Sequence, residues 1–132
     1  MQSGFFYCKN SELRYDDYME TISFDDFKKV EIRIGKILSA EKIESSNKLL
    51  KLQVDFGTEK RQILAGIAKF YEPEALIGKL CPFAFNLAPK MMGEIESQGM
   101  MLCADSGDLP AQAGAPVLLH PDKEIRPGSL VK

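Results

Sequence analysis

Five cations, Lys48, Lys51, Arg61, Lys69 and Lys90, stand where phosphate chemistry could take place. Lys51 alternates with the apolar residues Leu50, Leu52 and Val54, and Arg61 opens the next apolar run, so the two fall on neighbouring strands. Lys48 and Lys90 stand at the ends of connectors, one after Ser45-Ser46-Asn47 and one inside the polar stretch that begins at Asn86. A cation placed this way neutralises a phosphate and releases its counterions. Asn86 and Ser97 could bond a phosphate or a 2′-hydroxyl, the group that distinguishes RNA from DNA. The competing reading of each lysine is a solvated surface, and that of Asn86 and Ser97 is the capping of backbone groups at strand ends. Met91 and Met92 read as packing residues, and Met100 as either a surface contact or a core contact.

Catalytic chemistry finds little support. His120 is the single histidine and sits between Leu119 and Pro121, as a surface turn residue would. No thiols or carboxylates complete a metal set around it. Asp25 and Asp26 open a short helical pattern, where carboxylates favour the helix dipole. Cys8, Cys81 and Cys103 are odd in number and lack C-x-x-C spacing. Two of them lie in apolar runs, so buried free thiols are expected. No glycine-rich phosphate loop and no nucleophile motif is present. Neither an enzyme nor a cofactor is expected.

The 132 residues suffice for one domain with a core. The net charge of -2 does not mark a generic nucleic-acid binder. Its distribution is uneven: residues 1–27 carry six acids against two bases, and residues 28–104 carry twelve bases against nine acids. No apolar run is long enough to cross a bilayer, and the N-terminus lacks the pattern of a signal peptide, so a cytoplasmic protein is expected.

The elements that must hold these residues follow from periodicity. Residues 1–22 have no clear period and form an aromatic, acidic arm; 23–132 form the domain. Ser23 offers an N-cap for a helical turn with Phe24 and Phe27 on one side. Val30, Ile32 and Ile34 alternate with charges, and Gly35 interrupts them as a bulge or barrel bend would. Leu50, Leu52, Val54 and Phe56 make the cleanest strand, and 61–65 a third. Pro73 and Gly78 bracket a short helix. Two more strands cover 80–86 and 98–104, with a polar connector between them. Five strands with a helix between the third and fourth are the layout of an all-β, five-stranded OB-fold barrel, here with a C-terminal extension. A generic small β-barrel or sandwich is the alternative.

Five segments then carry a resemblance: Val30 to Ile37, Lys48 to Gly57, Arg61 to Ile67, Asn86-Leu87-Ala88-Pro89, and Glu96-Ser97-Gln98-Gly99-Met100. In this order and spacing, over about residues 22–132, they resemble the tRNA-binding domain at the C-terminus of methionyl-tRNA synthetases, which also exists as a free-standing protein or separate β chain. The resemblance implies an OB fold, a homodimer, recognition of tRNA by shape more than sequence, and no catalysis of its own. The site residues it suggests are Lys48, Lys51, Arg61, Asn86, Lys90, Ser97 and Met100. Two departures fall on the RNA side. Glu44 stands where the family commonly has proline, and after Pro89 only Lys90 is basic where the family has several cations. Weak tRNA binding is therefore expected. The other functional class is a protein–protein module on the same fold, chaperone-like or a synthetase scaffold.

Overall fold

The computed structural model describes residues 20–107 and 114–132. Most of the expected N-terminal arm, 1–19, and Cys8 within it lie outside the described residues. The described part is all-β and antiparallel, with two helical turns. α1 (Phe24–Phe27) forms because the Ser23 hydroxyl accepts the Asp26 amide at 3.0 Å, and Lys29 pairs with Asp26 at 3.1 Å. The five expected strands are β1 (Ile32–Ile43), β2 (Ser46–Asp55), β3 (Lys60–Ala65), β4 (Leu80–Ala84) and a short strand at Met100–Met101. α2 (Pro73–Leu76) stands between the third and fourth of these.

Five further strands complete the described residues. β5 (Lys90–Met92) and β6 (Ile95–Ser97) precede β7 (Met100–Met101), and β8 (Cys103–Asp105), β9 (Pro116–Leu118) and β10 (Leu130–Val131) follow it. The expected strand over 98–104 is thus broken at Leu102: β7 pairs with β4, and β8 turns away to pair with β9. The sheet order is β3-β2-β1-β4-β7, with β10 against β1. That order is compatible with the expected five-strand barrel, but the ladder is open between β3 and β7.

Alternation in β2 drives burial. Leu50, Leu52 and Val54 are fully buried and meet Ile37, Ile63, Leu76, Cys81 and Phe83 in one core. Each such side chain contributes roughly 1.5–3 kcal/mol relative to exposure. Gly35 does not form a bulge. The β1–β4 ladder runs through it to Cys81, and the irregularity comes later, between Ile37 and Ser39. The glycine is needed for close approach: a Cβ there would lie 2.4 Å from Val54 Cγ1 and 2.7 Å from Phe56. A second close crossing is Gly128, at φ +93°, where a Cβ would fall 2.2 Å from the Phe56 carbonyl oxygen. This lets the C-terminal extension return to β1, with the Gly128 amide donating to Ile34 O at 2.6 Å and the Ile34 amide to Ser129 O at 2.9 Å.

Candidate nucleic-acid interface

The polar connector after β4 is built, not loose. β5 and β6 pair as a hairpin, Lys90 opposite Ser97 and Met92 opposite Ile95. Gly93 at φ +72° takes the first position of its two-residue turn, where the primed hairpin turns require positive φ. The return limb then fastens to the outer edge of β3. The Gln98 amide donates to Gln62 O at 2.8 Å, and the Gln62 amide to Gln98 Oε1 at 2.9 Å. The Gln62 side-chain amide donates to Glu96 O at 2.9 Å. These bonds cover the strand edge that the open ladder leaves.

Ser97 is buried in this seam. Its hydroxyl accepts the Leu64 amide and donates to Gly99 O, both at 3.0 Å. Asn86 clamps the chain entering β1: its Oδ1 accepts the Glu31 amide at 2.8 Å, and its Nδ2 donates to Lys29 O at 2.7 Å. Arg61 is half-buried. Its guanidinium lies 3.6 Å from the centre of the Phe85 ring, and Nη1 donates to Phe85 O (2.5 Å) and Gln98 O (3.2 Å). Its Nε pairs with Glu59 at 2.7 Å. Lys51 pairs across the sheet with Glu41 at 2.8 Å.

Lys48 and Lys90 differ from these. Both are exposed, and neither side chain has an ion-pair partner among the described residues. The turn before Lys48 falls at 44–45, one residue earlier than the sequence suggests, and Lys48 belongs to β2. The register explains it. Lys42 faces Leu50 while Ile43 faces Ser46, so Asn47, Lys48 and Leu49 bulge out of β2. The Ala68 amide anchors the bulge by donating to Lys48 O at 3.0 Å. Lys69 follows directly and is exposed. Met100 is half-exposed opposite Ala84, while Met101 packs into the core.

Successive pairings define a row across the strands. Lys90 faces Ser97, Ser97 bonds Leu64, Leu64 faces Lys51, and Lys51 faces Glu41. The residues that sequence reasoning missed are Gln62 and Gln98, whose pairing across thirty-six positions leaves no local signal, and Phe85, which reads as one more strand residue.

Cys81 and Cys103 are free thiols, as expected. Burial pushes the Cys81 thiol up to about 11, with neighbouring Cys103 adding to the effect and Lys79 opposing it. Burial raises Cys103 as well. His120 Nδ1 lies 3.0 Å from Leu80 O and 3.8 Å from Cys81 Sγ. No group of three or more candidate metal ligands occurs among the described residues. Among them, too, no helix is long and apolar enough to cross a membrane.

Known proteins resemble this chain in both sequence and fold. Residues 32–130 match the model of the putative tRNA binding domain. A methionine–tRNA ligase of Thermotoga maritima is 54% identical over 110 residues, which are 83% of this chain and 16% of that protein. A solved MetRS-related protein from Pyrococcus horikoshii superposes with a TM-score of 0.78 at 40% identity, over 86% of this chain and all of that one. The chaperone CsaA from Bacillus anthracis gives 0.76 at 30% identity, again over 86% of this chain and all of that one. The chain belongs to the tRNA-binding domain family. It spans only 16% of the length of the methionine–tRNA ligases it matches.

Proposed function

We propose that this chain binds tRNA as a non-catalytic accessory to a methionyl-tRNA synthetase, as a domain or a separate subunit, in the cytoplasm. The observation that carries this reading is the family match over 32–130, together with 54% identity to one segment of a methionine–tRNA ligase. Lys48 and Lys90 are the phosphate contacts, because among the described residues no ion pair neutralises their charges. Lys51 contributes less, its charge being paired with Glu41. Asn86 and Ser97 hold backbone in place at the edge of the interface. Met100 supplies apolar contact at its margin. With Lys90 the one cation of the 86–98 segment, the affinity is weak, and its salt dependence scales with the number of phosphates contacted.

A homodimer raises such an affinity by presenting two interfaces on one particle. The face that supports it lies around α1 and β10. Phe24 is 72% exposed, and Phe27, Val30, Leu130 and Val131 are exposed beside it around a groove of about 460 Å³. An apolar surface of this kind marks an association site, and a two-fold contact would cover the same patch on both copies.

Titration with unfractionated tRNA across a salt series tests the proposal, with log affinity expected to fall linearly with log salt. The second reading is a protein–protein module, favoured by the likeness to a chaperone at 30% identity. It requires no tRNA binding even at low salt.

A further inference from the structure

We propose that Arg61 is a positioning residue of the interface: it does not meet phosphate itself, but fixes the 86–98 segment, and Lys90 with it, against β3. This rests on the tRNA-binding reading above. The segment leaves β4 after Phe85 and returns toward β7 after Gln98, and Arg61 Nη1 donates to the carbonyl oxygens of those two residues, at 2.5 and 3.2 Å. One guanidinium thus holds both ends of the excursion that carries Lys90. The same group lies over the Phe85 ring at 3.6 Å, and Phe85 is itself held edge-on by Phe56 at 4.9 Å and by its amide, which donates to Glu31 O at 2.7 Å. Glu59 balances the charge at 2.7 Å, and the side chain is only 20% exposed. A cation that lies over a ring, paired and largely covered, offers little to an incoming phosphate. Its planar fork suits two carbonyl oxygens and a ring at once, which a lysine ammonium cannot match.

Four variants decide the matter: Arg61→Met, Arg61→Lys, Lys90→Ala, and Arg61→Met combined with Lys90→Ala. Each is titrated with unfractionated tRNA over a salt series and followed by amide hydrogen exchange. Arg61→Met and Arg61→Lys are both expected to weaken binding about as much as Lys90→Ala, on the order of tenfold. Adding Lys90→Ala to Arg61→Met should change affinity by less than about twofold, because both act through one element. Amides of 90–98, that of Gln98 foremost, should exchange faster in both Arg61 variants, while those of Leu52 and Val54 keep their protection. Wild-type affinity in Arg61→Lys would overturn the proposal, since a direct phosphate contact survives that exchange. Unchanged protection of 90–98 would overturn it equally. A wild-type chain that binds no tRNA sinks the functional reading instead, and the exchange data then accept or reject the clamp alone.

Discussion

At the outer edge of β3, Arg61, Gln62, Ser97 and Gln98 satisfy one another and the backbone, whereas around α1 and β10 large apolar side chains face solvent. The first region uses polar groups to hold a hairpin in one place and leaves Lys90 without an ion pair among the described residues. The second has apolar area that no described residue covers. The difference teaches that exposure and availability are separate properties. A cation on the surface can already be neutralised, as Lys51 is by Glu41, and an apolar residue on the surface can be waiting for a partner.

The contrast can be broken at its apolar end first. Leu130→Asp combined with Val131→Asp should weaken self-association by roughly a hundredfold or more, since a buried carboxylate without a partner opposes contact. Analytical ultracentrifugation would show a dimer becoming a monomer at equal concentration. A dimer that survives the double change would remove this face from the account.

The core between the two ends gives a pH-dependent effect. The Cys81 thiol titrates near 11 in the folded chain against 9.0 for a free thiol, so the unfolded chain loses its proton first. The stability this contributes is complete below pH 9 and is lost as pH rises through 11. The decline is up to about 2.5 kcal/mol. Urea unfolding at stepped alkaline pH should show it, and Cys81→Ala should remove most of the slope.

At the polar end, Ser97→Ala leaves the buried Leu64 amide without its acceptor. A stability loss of about 1–3 kcal/mol is expected in denaturant unfolding. A loss near zero would mean that another group relaxes to take the bond. The smallest effect belongs to Phe24→Ser. In the monomer this side chain is mostly in water, so stability should move by less than about 0.5 kcal/mol while self-association weakens.

The sequence was most legible where one face of a strand is buried and the other wet. Leu50, Leu52 and Val54 announce β2 by alternation alone, and Ser23 and Pro73 mark their helical turns. The hairpin was illegible because Lys90-Met91-Met92 and Ile95-Glu96-Ser97 are too short to show a period, and Gly93-Glu94 is not a strong hairpin signal. Of the two readings of Gly35, a bulge or a barrel bend, the unbroken ladder to Cys81 removes the bulge, and the closeness of Val54 and Phe56, which has no local signal, gives the need for glycine. Of the candidate site, residue types could be read but not their commitments. Nothing local tells that Arg61 is held by Phe85 and Gln98 while Lys90 has no ion-pair partner among the described residues. The Arg61–Phe85 contact spans twenty-four positions of chain and the Arg61–Gln98 contact thirty-seven, and the topology alone brings them together.

The most direct measurement compares tRNA binding of the wild-type chain with that of Lys48→Ala combined with Lys90→Ala over a range of salt. The double variant should bind more weakly, and the slope of log affinity against log salt should shrink by roughly 1.5. An unchanged slope would contradict the assignment of these two lysines to the phosphate backbone.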